Sequence, residues 1–124
     1  YGSSRFDLYA EHGEHKAFLE VKGVTLEENG IARFPDAPTQ RGIRHMRELM
    51  DCVKEGYEAY LIFVIQMKGV HSFQPNWRTQ PEFGHVLREA AQAGVQVIAR
   101  DCLVYPGRIV IDQKIPVDFL TEME

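Results

Sequence analysis

Charged and apolar residues interleave from Arg5 to Ala10 and again from Lys16 to Val24, the pattern of two strands that each present one face to a core. The polar segment Glu11-His12-Gly13-Glu14-His15 between them predicts a hairpin turn. Gly30 to Phe34 reads as a third short strand, and Pro35-Asp36-Ala37-Pro38 breaks the pattern ahead of a helix that starts near Thr39. On that helix Ile43, Met46, Leu49, Met50 and Val53 recur at three- and four-residue spacing, while Arg41, Arg44, His45, Glu48 and Asp51 fall on the opposite face, with Gly56 as the stop. Tyr60 to Val64 is apolar on both faces, which predicts a central strand covered by helices on each side and ending at Gln66. A loop through His71, Pro75 and Trp77 leads to Thr79-x-x-Glu82, which has capping-box spacing, and to a helix that buries Phe83, Val86, Leu87 and Ala90 before Gly94 closes it. Val95 to Arg100 is another strand, and Leu103-Val104-Tyr105 and Ile109-Val110-Ile111 flank Pro106-Gly107, which suits a type II turn in an edge hairpin. The expected fold class is α/β, a mixed β-sheet flanked by α-helices, in a single domain over residues 1–124.

Composition narrows the function classes. With 44% hydrophobic and 26% charged residues in 124, the chain has the make-up of one globular domain rather than a disordered tail or a disulfide scaffold. The run Ala59 to Ile65 is far short of the ~20 residues of a membrane-spanning helix, so no membrane association is expected. No signal peptide is visible, and an opening at Tyr1 rather than Met suggests a fragment of something longer. Fourteen basic against eighteen acidic side chains give a net charge of -4, which argues against a uniformly basic nucleic-acid binder but leaves room for a local patch. Cys52 and Cys102 stand apart from any CxxC or Cys/His cluster, so two reduced thiols and a cytoplasmic address are expected.

The candidate chemistry lies in the opening strands. Asp7 shares a face with Arg5 and Tyr9, and Glu20 shares a face with Phe18 and Lys22, so a hairpin of the expected register makes Asp7 and Glu20 converge. Two carboxylates with an ammonium two residues beyond the second are the parts of a hard-cation site beside a proton-handling lysine. Oxygen ligands suit Mg2+ or Mn2+, which could polarise a phosphodiester and neutralise its leaving oxygen. A cross-strand ion pair on a solvated sheet face would also explain Glu-x-Lys.

Those residues also carry a resemblance. Ser4-Arg5-Phe6-Asp7, Glu20-Val21-Lys22-Gly23-Val24-Thr25-Leu26, Phe34-Pro35-Asp36-Ala37-Pro38-Thr39-Gln40-Arg41-Gly42 and His45-Met46-Arg47-Glu48-Leu49 closely resemble the sugar fermentation stimulation protein family of prokaryotes. The similarity continues through Tyr60 to Gln66 and Ala93-Gly94-Val95 to Ile115-Pro116-Val117. In this part the family is similar to PD-(D/E)xK nucleases, and Asp7 matches the first acid of their motif, Glu20 the second and Lys22 the lysine. The resemblance implies a restriction-endonuclease-like core of αβββαβ type, a divalent metal held by Asp7, Glu20 and the Val21 carbonyl, and DNA as the partner. Gly23 stands where Ser is common after the lysine. Family members usually carry an N-terminal OB-like domain, which is not expected within residues 1–124. PD-(D/E)xK enzymes often act as dimers, and an exposed edge could pair two copies as a homodimer, although no residue of the sequence decides it.

Around this triad, Thr39, Arg41 and Arg44 lie where a nuclease helix would face DNA phosphate. Thr39 equally suits an N-cap, and Arg44 a surface ion pair with its helical neighbours. Asp36, Gln66 and His45 are accessory candidates, with Asp36 also explained as a turn residue. Trp77 and Phe73 could stack on bases or pack their loop against the core. Two functions follow as expectations. One is a Mg2+- or Mn2+-dependent DNA nuclease domain that hydrolyses phosphodiester bonds, from a DNA-binding protein linked to sugar (maltose) metabolism. The other is a non-specific DNA-binding regulatory protein with a structural or catalytically inert metal site.

Overall fold

In the computed structural model, which describes residues 8–120, strands β1 (Leu8–His12) and β2 (His15–Val24) form the expected antiparallel hairpin. Its turn is tighter than the sequence suggests, because Glu11 pairs with Lys16 and His12 with His15, which leaves only Gly13 and Glu14 between the strands. β2 then runs parallel to β5 (Glu58–Ile65), and β5 parallel to β7 (Gln96–Tyr105), which turns back antiparallel into β8 (Arg108–Ile115). The result is a mixed five-stranded sheet of order β1-β2-β5-β7-β8. A second sheet of three strands was not foreseen as such. It joins β3 (Leu26–Glu28), β4 (Ile31–Phe34) and β6 (Ser72–Pro75), with β6 formed by a segment that reads as loop.

Two helices complete the fold. α1 (Gln40–Lys54) opens on Thr39, whose extended backbone (φ -135°) lets Oγ1 accept from the Gly42 N–H at 2.9 Å. α2 (Pro81–Ala93) starts at a proline, which fits the first helical position because its missing N–H would have no intrahelical acceptor there. The capping box expected at Thr79 does not form. Gln80 occupies the N-cap, makes no side-chain cap, and its Oε1 instead accepts the backbone N–H of Thr39 at 2.9 Å.

α1 packs on the side of β5 that carries Ala59, Leu61, Phe63 and Ile65, all buried, and α2 packs on α1 and on β6. Stacked rings of Phe63 and Phe73, 4.4 Å apart, join the two sheets in this core. Tyr60, Ile62 and Val64 alternate to the other side and are only half-buried, so the expected cover on both faces of this strand is not found among the described residues. The fold is α/β, its mixed sheet flanked by helices, as the sequence predicts, and no helix of the described residues is long and apolar enough to cross a membrane.

Candidate functional site

Period-two geometry sends Phe18, Glu20, Lys22 and Val24 of β2 to the helix side of the sheet, where the parallel ladder sets Glu20 beside Leu61 and Lys22 beside Phe63. α1 lies over that side and lowers His45 onto the strand. Glu20 Oε1 is 3.6 Å from Lys22 Nζ, Glu20 Oε2 is 3.1 Å from His45 Nδ1, and Lys22 Nζ is 3.4 Å from the same ring nitrogen. The Lys22 ammonium can only donate, so its hydrogen bond to Nδ1 requires that nitrogen to accept and puts the ring proton on Nε2, with the Glu20 carboxylate in close contact beside the pair. Glu20 and His45 are 3% and 2% exposed, so the contact is shielded from water and a surface ion pair does not describe it.

His45 therefore does not lie on the polar face of α1 as its neighbours Arg44 and Arg47 suggest. It belongs to the buried ridge of Gly42, His45, Leu49 and Cys52, whose three- and four-residue spacing was readable in the sequence. Burial pushes the imidazole below its usual 6.5, the positive charges of Lys22, Arg41 and Arg44 push the same way, and Glu48 opposes them. The ring is thus held neutral, a hydrogen-bond acceptor from Lys22 rather than a second cation beside it.

The other candidates divide. Arg41 and Arg44 are exposed on α1, and their charges reach His45. Thr39 Oγ1 is engaged as the N-cap, so its structural role is established. Gln66 follows β5, its backbone N–H donating to the Val24 carbonyl at 3.0 Å. Its side-chain amide lies across Gly23, where an added Cβ would sit 2.7 Å from Nε2, on the Val21 side of the sheet and away from the side chains of Glu20 and Lys22. Val21 points to the opposite side of the sheet, half-buried. Asp36 is exposed in the segment before α1. Asp7, and with it the expected convergence on Glu20, lies outside the described residues. Trp77 and Phe73 are not base-stacking platforms: Phe73 is fully buried, and Trp77 is buried with its Nε1–H donating to the Leu120 carbonyl at 2.9 Å. Cys52 and Cys102 are free, buried thiols, and burial raises the first to about 11, which makes it an inert core residue.

One acidic cluster had no sequence signal. Asp101, buried at the register shift of β7, receives Lys68 Nζ on both oxygens at 3.0 Å and the Gln113 N–H at 2.8 Å, and Lys68 also meets Asp112. Lys68 fills this cluster and ties the segment after β5 to the β7–β8 pair.

The model of the sugar fermentation stimulation protein RE domain matches residues 1–108. The chain belongs to the sugar fermentation stimulation protein family. A sugar fermentation stimulation protein homolog of Clostridium beijerinckii is 62% identical over 104 residues, covering 84% of this chain and 46% of the relative. A homolog of Ruminiclostridium cellulolyticum is 56% identical over 117 residues, covering 94% of this chain and 52% of its own length. The chain thus spans about half the length of the sugar fermentation stimulation proteins it matches. The solved structure of Pyrococcus furiosus SfsA in complex with Ca2+ superimposes with a TM-score of 0.87 at 31% identity, covering 94% of this chain and 51% of that one. The family's RE domain and this likeness agree with the restriction-endonuclease-like core that the sequence implies.

Proposed function

We propose that this sugar fermentation stimulation domain is a divalent-metal-dependent DNA nuclease domain. The observation that carries the reading is the shielded carboxylate of Glu20 with the Lys22 ammonium 3.6 Å away on the same strand face. A hard oxygen donor is what Mg2+ or Mn2+ takes, and a relative that holds Ca2+, another oxygen-ligated cation, supports this donor chemistry. Among the described residues no group of three His, Cys, Asp or Glu side chains gathers, so Glu20 needs partners. Asp7, one residue before the first described pair of the β1–β2 ladder, is the proposed second carboxylate, with the Val21 carbonyl as a third donor. When bound, the cation would neutralise charge on the phosphodiester and lower the pKa of an attacking water.

The chain's own residues supply the rest. Lys22 orients the attacking water and counters the charge that builds on the phosphate. His45 accepts from Lys22 through Nδ1 and so holds the ammonium beside the Glu20 carboxylate. Arg41 and Arg44, exposed on α1, meet the DNA backbone, and such contacts position the duplex without reading its sequence. Nicking of supercoiled plasmid in Mn2+ tests the reading. Glu20→Ala and Lys22→Ala should each reduce it by about a hundredfold or more, as expected when a transition-state contact is removed; undiminished nicking sinks the assignment.

One observation favours a second reading. Lys22 and His45 lie 3.6 and 3.1 Å from the Glu20 carboxylate and hydrogen-bond each other, which fits a structural cluster as well as a site awaiting a cation. The domain would then bind DNA backbone through Arg41 and Arg44 without turnover. That reading requires affinity that falls steeply with salt, and a log-affinity slope near zero against log salt excludes it.

A further inference from the structure

Among the described residues, every large hydrophobic side chain with an exposed surface except Leu120 sits on the hairpin of β7 and β8: Val104, Tyr105, Ile109, Val110 and Ile111. The hairpin is apolar on both faces, since Ile109 and Ile111 alternate with Val110, and Ile109 and Ile111 are 51% and 54% exposed. β8 is also a terminal strand of the five-stranded sheet, so its outer backbone edge has no neighbour among the described residues. Such an edge is a template for pairing, and proteins that remain single chains usually blunt it with charge, proline or a bulge. The apolar centre of β8, Ile109-Val110-Ile111, carries none of these.

We propose that β8 pairs antiparallel with β8 of a second copy of this chain, in a two-fold register centred on Val110. The register follows from the turn. Pro106-Gly107 closes the hairpin with Tyr105 opposite Arg108, and Gly107 at φ 78° supplies the positive angle that a type II turn requires. Counting outward from that closing pair, the alternation of an antiparallel ladder turns the N–H and C=O groups of Ile109 and Ile111 away from β7. A pairing centred on Val110 sets Ile109 of each copy against Ile111 of the other, so those outward groups satisfy one another. It also places Arg108 of each copy opposite Asp112 of the other, so that a carboxylate already met by Lys68 of its own chain takes a second cation on either side of the axis. Shifting the centre to Ile111 keeps the backbone pattern but sets Arg108 opposite Lys114, a like-charge pair that disfavours it. The strand is self-complementary in one register, and a second copy is the partner that fits it. The contact is small, so the dimer is weak and its population depends on concentration.

Sedimentation equilibrium of the 124-residue chain should show the mass rising with concentration from 14.2 kDa toward twice that value. Val110→Cys tests the register. Two-fold pairing sets its Cα atoms about 4.5 Å apart, within disulfide reach, so mild oxidation should give a covalent dimer. Ile111→Cys, off the axis, should cross-link much more slowly, and the native Cys52 and Cys102 are buried. Arg108→Asp should weaken the dimer by about tenfold or more, since two attractive cross-strand pairs become repulsive, while Arg108→Lys retains it. A chain that stays monomeric at all concentrations, or an Ile111→Cys variant that cross-links as fast as Val110→Cys, overturns the proposal.

Discussion

Glu20 on β2 and His45 on α1 meet at 3.1 Å, carboxylate to imidazole, with both side chains nearly excluded from water. Beside that carboxylate, His45 Nδ1 accepts from Lys22 Nζ at 3.4 Å, so His45→Ala takes an acceptor from a part-buried ammonium and empties the space over Glu20, and should lower stability by about 2–3 kcal/mol. Urea unfolding at unchanged m measures it. His45→Gln, whose amide oxygen can still accept from Lys22, should recover part of the loss, and an Ala variant within about 0.5 kcal/mol of the parent would show that the contact contributes nothing net.

The same contact has a pH signature. His45 in the fold holds its pKa below the ordinary 6.5, so as acid is added the unfolded chain takes up the proton first. Its contribution is complete above about 6.5 and declines as pH falls from there toward the folded value. The stability of the parent relative to His45→Gln should therefore shrink between about pH 7.5 and 5.5; a constant difference contradicts a neutral imidazole.

Much of the fold was legible because burial imposes a period on the sequence. β2, α1, β5, α2 and the β7–β8 hairpin each carry enough apolar residues at the right spacing to declare themselves. β6 did not, since Ser72-Phe73-Gln74-Pro75 is a strand only by pairing with β4, a partner 41 residues earlier. His45 was misplaced for a related reason: neighbours in sequence signal a polar face, whereas its own ridge is apolar and its partner sits on another element. Gln80 took the cap from Thr79 because Pro81 fixes where α2 can begin. Glu20 and Lys22 were legible as a spacing, but their burial was not.

Gly84 on α2 faces the Trp77 ring so closely that an added Cβ would lie 2.4 Å from it. Alanine in place of glycine gains about 1 kcal/mol of helix propensity, against about 1–3 kcal/mol for forcing a methyl into a packed ring. The clash wins because Trp77 is also held by its hydrogen bond to Leu120. Gly84→Ala should lower the melting temperature and increase Trp77 exposure to a collisional quencher; a stabilised variant with an unmoved tryptophan refutes this.

Asp101 and Lys68 make an asymmetric pair. Asp101 is buried and serves both Lys68 and the Gln113 N–H, whereas Lys68 reaches water. Removing the carboxylate orphans a buried backbone donor, while water can take the place of the ammonium. Asp101→Ala should lower the urea midpoint more than Lys68→Met, and the adjacent Cys102 should become more reactive toward a thiol reagent in the first variant. Equal midpoints would mean that Lys68, not the backbone bond, carries the effect.

The hydrogen bond from Thr39 to Gln80 binds the starts of α1 and α2 into one latch, although 41 residues separate them. Neither helix can then fray at its beginning without loosening the other. Amide exchange in the two first turns is accordingly expected to share one opening free energy. The cationic side of α1 and the ring beside Glu20 would be released together, as a single cooperative event, wherever in either helix the opening starts.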